Sequence, residues 1–155
     1  MDGGQVEGPV AAADSAARLA TPYLGQADAL EERQPVVAYY CRVFAAGLIL
    51  GAMKRGGWSQ ANEHALVSAL EKAERAQPLL HLVRGKEELE RCVLASMRVA
   101  EGAGAAAAFR EVALLLDVLE WFHGALTPDW EAVAEYARRR AAGLQEHGGG
   151  ALSDR

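Results

Sequence analysis

Apolar residues recur at intervals of three and four along most of the chain, and no segment alternates apolar and polar residues as a half-buried strand does. This period is typical of amphipathic α-helices, so the sequence predicts an all-α protein. We predict six long helices, which cover residues 18–32, 35–53, 59–77, 86–101, 105–123 and 127–144. A short apolar segment between the third and fourth helices is expected to form at most one further helical turn.

The predicted helices fall into two groups of three. The predicted order is a disordered N-terminus, a first three-helix module, a connector, a second three-helix module and a disordered C-terminus, at residues 1–17, 18–78, 79–85, 86–144 and 145–155. A lone bundle of this size is only marginally stable, because small domains bury a small fraction of their surface. We therefore expect two packed three-helix bundles.

Start and stop signals support several of these boundaries. Ser59 is a good N-cap, and Thr127-Pro128-Asp129 places a cap, a proline and an acid at the start of the sixth helix. Gly56-Gly57 and Gly102-Ala103-Gly104 are expected to end the second and fourth helices. Thr21-Pro22 is placed in the first turn of the first helix, where proline is tolerated. Two leucines are predicted to face inward on the first and third helices: Leu19 and Leu70.

The second helix is apolar nearly all round, and Val36–Met53 is long enough to raise the question of a membrane span. Arg42 lies in the middle of that segment, where it would cost about 2.5–3.5 kcal/mol in a bilayer. A central helix of a soluble bundle is the better interpretation, with Tyr40 and Phe44 in the core. We expect Tyr39 and Arg42 to have structural roles, with Arg42 reaching an acidic side chain or helix-end carbonyls.

Composition and motifs argue against several classes of function. The net charge of −5 does not suit general nucleic-acid binding. Cys41 and Cys92 both lie in apolar helical patterns and are expected to be reduced core residues. Glu120 and His123 have the spacing of a di-iron ligand pair, but such a site needs two pairs of this kind besides two further glutamates, and only one pair is found. We predict no catalytic residue, metal or cofactor, because a helical enzyme or cofactor carrier would need polar groups that converge inside the bundle.

The fifth helix carries apolar side chains on its polar side. Leu114 and Trp121 share the stripe of Arg110, Asp117 and Glu120, opposite the predicted core face. Something is expected to cover them, and three candidates stay open: the first module, a partner helix, or a second copy in a structural homodimer.

One block of sequence resembles a known family. It runs Arg33-Gln34-Pro35-Val36-Val37-Ala38-Tyr39-Tyr40-Cys41-Arg42. Weaker similarities follow at Pro22-Tyr23-Leu24, Leu115-Leu116-Asp117-Val118 and Tyr136-Ala137-Arg138. Together these segments resemble the LYST-interacting protein five family, the activators of the AAA ATPase of the multivesicular-body pathway, over residues 18–144.

The resemblance implies a non-enzymatic adaptor built from two microtubule-interacting-and-transport (MIT) modules. Such modules bind amphipathic tail helices of ESCRT-III subunits, here of the CHMP-one and CHMP-five type. The implied location is the cytoplasm, with recruitment to endosomal membranes but without membrane insertion or nucleic-acid binding. The AAA ATPase is bound in the family through a C-terminal domain that has no counterpart in these 155 residues. A generic helical interaction module without an ESCRT role remains the alternative.

The resemblance also directs attention to the third helix. Tail helices of this class present leucines together with arginine, so an acidic rim is expected to complement them. We predict a groove along this helix rimmed by Glu63, Glu71 and Glu74, and a second contact at Leu114, Asp117 and Trp121. The alternative is that the glutamates form only a solvated face. The family's charged joint before the fifth helix is replaced here by Gly102-Ala103-Gly104, so no contact is expected from that joint.

Overall fold

The computed structural model describes residues 9–56 and 58–153, and the side chains of residues 18–56 and 58–145. All secondary structure in these ranges is helical, which confirms the all-α prediction. The six α-helices are α1 Pro9–Leu30, α2 Pro35–Lys54, α3 Gln60–Ala76, α4 Gly85–Ala103, α5 Ala106–His123 and α6 Pro128–Ser153. A 3₁₀ helix, Gln77–His81, follows α3 directly.

The chain divides into two compact units, Met1–Arg84 and Gly85–Arg155. In the first unit α2 lies between α1 and α3 and packs closely against both. The small Ala45 of α2 and Ala20 of α1 allow that approach, and both are fully buried together with Ile49. Tyr23 and Phe44 add an aromatic contact between α1 and α2, with ring centroids 4.6 Å apart. An α2 helix that is apolar on most sides thus obtains a neighbour on each side.

Arg42 is the one charged side chain of α2 that the bundle buries, and its side chain is only 3% exposed. Its guanidinium donates to Asp28 of α1 at 2.9 Å and lies 3.1 Å from Glu31, in the turn that follows α1. Lys72 of α3 approaches the same Asp28 carboxylate at 3.7 Å. The predicted contact of Arg42 with an acidic side chain is confirmed, and it joins all three helices of the unit.

In the second unit α5 occupies the middle position between α4 and α6. Five of the six residues predicted for the core face of α5 are buried, namely Phe109, Val112, Leu115, Leu116 and Leu119, whereas the sixth, Phe122, is only half-buried. The outer helices α4 and α6 approach each other mainly through long side chains. Two hydrogen bonds span them: the Trp130 indole donates to Glu90 at 3.0 Å, and the Tyr136 hydroxyl donates to Glu101 at 2.5 Å.

The helix signals read from the sequence act as predicted at several ends. The Ser59 hydroxyl accepts a hydrogen bond from the Asn62 amide at 3.1 Å, as an N-cap should. Gly104 ends α4 with φ +61°, and its amide donates to the Ala100 carbonyl at 2.8 Å. This left-handed backbone favours glycine, because a side chain would clash with the following carbonyl.

The predicted ends of the first and sixth helices were wrong. Helix α1 begins at Pro9, so residues 9–17, predicted to be disordered, are helical; the rest of that prediction, residues 1–8, lies outside the described residues. Alanine fills much of residues 11–17, and alanine has the highest helix propensity. Pro22 consequently lies inside the helix, not in its first turn. Helix α6 likewise continues through residues 145–153, which were predicted to be disordered. This part contains a run of three glycines, and the low helix propensity of glycine does not explain why it is helical. Residues 154–155 lie outside the described residues.

Three side chains lie elsewhere than predicted. Leu19 and Leu70 were expected inside, but both are exposed. Ala27 and Leu30, also predicted to face inward, are buried, whereas Ala20 takes the inward place expected for Leu19; the small Ala20 and Ala27 let α1 approach α2. Phe44 is buried as predicted, whereas Tyr40 is only half-buried beside Tyr39. Partial burial raises the pKa of the Tyr40 hydroxyl, and the neighbouring Tyr39 adds to that effect.

By length and composition α2 could cross a membrane, but more than half of its apolar window, 56%, is buried within the protein. This is typical of the central helix of a water-soluble bundle.

We predict an asymmetric response at the buried cation. The double variant D28N/E31Q should lower the free energy of unfolding by roughly 3 kcal/mol, because Arg42 then stays buried without a counter-charge. The variant R42M should cost less, because methionine fills most of the same space and the two exposed carboxylates remain hydrated. Urea denaturation followed by circular dichroism measures both changes.

The control for these variants is E32Q, which alters an exposed carboxylate close to the same helix end. It should change stability by no more than about 0.5 kcal/mol. A larger loss for R42M than for D28N/E31Q would contradict the electrostatic account.

Candidate functional site

Helix α3 lies at one side of its unit, and its short inward side chains decide what remains exposed. Ala69 and Ala73 are buried, so α3 can lie close to α2. Acids and larger apolar residues are left on the opposite side. We define the α3 face as five exposed residues of that side: Glu63, Val67, Leu70, Glu71 and Glu74.

The α3 face combines apolar and acidic groups in one stripe. Val67 and Leu70 are about half exposed, at 48% and 43%. Val67 has a glutamate four positions away on each side, and Leu70 precedes Glu74 by four positions. The three carboxylates have no ion-pair partner among the described side chains. A shallow groove follows this face, and its described lining comes from Gln60, Glu63, His64, Val67, Ser68 and Glu71.

The structure thus brings Glu63 and Glu71 together along one groove, and Glu74 continues the same stripe. The sequence interpretation missed Val67 and Leu70 as part of this surface. Their spacing from the glutamates was the signal that could have found them, since positions three and four apart share a helix face. Because Leu70 was predicted to face inward, it was not grouped with the glutamates of the exposed side.

The second predicted contact lies on α5 and is only partly open. Trp121 is 53% exposed and packs edge-on against Phe122, with ring centroids 4.8 Å apart. Leu114 is half-buried. The Asp117 carboxylate accepts a hydrogen bond from Arg138 of α6 at 3.1 Å, so this acid joins the two helices of its unit. Trp121 is therefore the main accessible group of the three.

The described residues offer little for chemistry. Within them, no group of three or more His, Cys, Asp or Glu side chains is placed to hold a metal ion. Glu120 and His123 both lie on the exposed side of α5. A small cavity of about 30 Å³ lies between the start of α4 and the α5–α6 loop, beside His123, Lys86 and Glu90. Its volume is about that of one water molecule.

His123 has a shifted pKa in this small cavity. Partial burial is the largest cause and lowers the pKa of the imidazole, because it disfavours the charged form. Lys86 lowers it further by charge repulsion, while Glu90 acts in the opposite direction. His123 protonation therefore opposes folding: its contribution to stability is present above the unfolded pKa of about 6.5 and is lost as the pH falls below it.

Comparisons with known proteins identify what this pair of units is similar to. A family model described as Vta1-like matches residues 20–147. A curated protein of Arabidopsis thaliana, named as a homologue of mammalian LYST-interacting protein 5, is 30% identical over 144 residues. That alignment covers 84% of this chain and 32% of the relative, so the chain spans about a third of the length of the curated relative.

We predict that K86M raises the pKa of His123, because it removes the positive charge that lowers it. The loss of stability below about pH 6.5 should become smaller in the same variant. A pH titration of the imidazole protons by nuclear magnetic resonance measures the pKa. The exposed Lys54, in the other unit, supplies the control variant K54M, which should leave the His123 titration unchanged. An equal pKa in K86M and the wild type would contradict this assignment.

Proposed function

The chain belongs to the Vta1-like family, and on that premise we propose that it is a non-enzymatic adaptor that binds C-terminal tail helices of ESCRT-III subunits. The observation that supports this function best is the α3 face, where exposed apolar side chains lie between unpaired carboxylates. A surface of this kind fits an amphipathic helix that presents leucines and arginines. The implied partners are tails of the CHMP-one and CHMP-five type.

The proposed mode of binding is helix-in-groove recognition. Leucines of the tail would contact Val67 and Leu70 and remove their apolar surface from water. Arginines of the tail would pair with Glu63, Glu71 and Glu74 and fix the register of the bound helix. The carboxylates are suited to this role because no cation of the described part of the chain neutralises them.

A contact of this size gives weak binding by itself. A single short helix in a shallow groove is expected to bind with a dissociation constant roughly in the micromolar range. ESCRT-III subunits assemble into polymers, so two grooves on one chain would engage neighbouring tails together. The effective concentration of the second tail then raises the overall affinity without any new contact.

We propose Trp121 as the centre of the second binding surface. Large aromatic side chains concentrate binding energy when a partner covers them, and Trp121 leaves 53% of its surface available. Leu114 supplies an apolar edge on the same side of α5. Asp117 contributes by holding α5 to α6 through Arg138, so its role is positioning more than direct contact.

The wider cellular role follows from the family. We propose a cytoplasmic protein that is recruited to endosomal membranes through the tails it binds. Regulation of the AAA ATPase is assigned in the family to a C-terminal domain outside the region that these 155 residues match. In this chain the proposal is limited to recognition of tails.

The α3 face can be tested by charge reversal. The variant E71K/E74K should weaken the binding of a CHMP-one or CHMP-five type tail peptide about tenfold or more, because the rim then repels the arginines of the tail. Titration of isotope-labelled protein with each peptide measures the affinity, and the shifted resonances identify the surface. In the wild type those shifts should fall on Val67, Leu70 and their neighbours.

The matched control is E131K/E135K, which makes the same change of net charge on exposed positions of α6. It should leave α3 binding within about twofold, because the carboxylates of the α3 face are unchanged in this variant. Unchanged affinity of every tail for E71K/E74K would refute the α3 site.

A second prediction concerns Trp121. The variant W121A should remove tail binding to the second unit while lowering stability by no more than about 1.5 kcal/mol, because the side chain is half exposed in the folded protein. The comparison variant W58A truncates a tryptophan of similar exposure in the first unit and should keep that binding. Wild-type binding and wild-type stability in W121A would refute the proposed role.

A further inference from the structure

Helix α4 carries an exposed face that the proposed function does not use. We define the α4 face as Arg91, Leu94, Arg98 and Val99. Leu94 and Val99 are 48% and 67% exposed, a high value for large apolar residues of a folded helix. The opposite side of the same helix faces the core of its unit, where Leu89, Cys92 and Val93 are buried.

The charge of the α4 face is opposite to that of the protein as a whole. The net charge is −5, yet residues 91–99 contain two arginines and no acid. Arg91 pairs with Glu88 at 2.9 Å, but 70% of its side chain stays exposed. A guanidinium has five N–H donors, so Arg91 can contact a further carboxylate without losing that pair.

An acidic helix face that also exposes large apolar residues would complement the α4 face in charge and in apolar surface. The described part of this chain contains a helix face of that kind, the α3 face. Both faces place large apolar residues within one turn of charges, and the charges are of opposite sign. The α4 face spans about two and a half turns of helix, so it can cover most of the roughly three turns of the α3 face.

We infer that the α3 face of one molecule docks on the α4 face of a second copy of this chain. Val67 and Leu70 meet Leu94 and Val99, and carboxylates of α3 pair with Arg91 and Arg98. The contact joins two different surfaces, so it is heterologous. If the α3 face of each copy docks on the α4 face of the other, the assembly closes as a dimer; otherwise it extends into longer oligomers. This association does not depend on tail binding, although an occupied α3 face would be unavailable to a tail.

The inference is tested on the protein alone, without any tail peptide. Sedimentation velocity of the full chain should show an average mass that rises with protein concentration. Two variants then exchange the charges: E71K/E74K reverses the α3 face and R91E/R98E reverses the α4 face. Each variant alone should dissociate at least about tenfold more readily than the wild type, because like charges then face each other.

An equimolar mixture of the two variants should associate again, since each reversed face finds a reversed complement on the other variant. Circular dichroism confirms that both variants keep their helices. The control E135K/R139E, at exposed positions of α6, should associate like the wild type.

Three results would overturn the inference: a wild-type mass that is independent of concentration, association of the single variants at wild-type strength, or a mixture that stays monomeric. A failure of tail binding would affect none of these measurements, so the two proposals stand or fall separately.

Discussion

Each unit of this protein is organised by a middle helix that cannot be left at a surface. Helix α2 is apolar on most of its circumference, and α5 buries residues over a wide arc. A helix of that kind needs a neighbour on each side, because burial of apolar surface is the main favourable term in folding. The outer helices need to bury only one stripe each, so their other sides are free to carry acids, arginines and exposed apolar groups.

Arg42 shows how a charge can be accommodated on such a middle helix. Its alkyl stem packs in the interior, while its guanidinium lies between α1 and α3, where Asp28 and Glu31 accept from it. Buried ion pairs contribute little to net stability. Here the pair favours one packing arrangement of the helices, because a displaced α1 would leave the Arg42 guanidinium buried without a carboxylate. We interpret the three-helix contact at Asp28 as a device that fixes how α1 and α3 lie on α2.

The sequence predicts the helix class and most helix ends because those depend on local chemistry, such as the Ser59 cap and the left-handed Gly104. The start of α1 was missed because the alanines of residues 11–17 were weighed by their lack of periodicity and not by their propensity. The glutamates of the α3 face were singled out through the family resemblance, and their spacing along α3 is what places them on one side of the helix. Leu70 could not, because the choice of inward side among neighbouring apolar positions depends on which helix packs against them, and a single sequence does not contain that information.

Side-chain hydrogen bonds link the two outer helices of the second unit, α4 and α6. Glu90 to Trp130 and Glu101 to Tyr136 act as spacers between helices that have little direct backbone contact. These two hydrogen bonds add a direct link between α4 and α6, whereas buried apolar residues hold each of these helices on α5. The substitution Glu101→Asp shortens one of these side chains by a methylene, and it changes no residue of the buried core. A single substitution in one of these pairs therefore alters the outer contacts of the bundle and leaves its apolar core as it is.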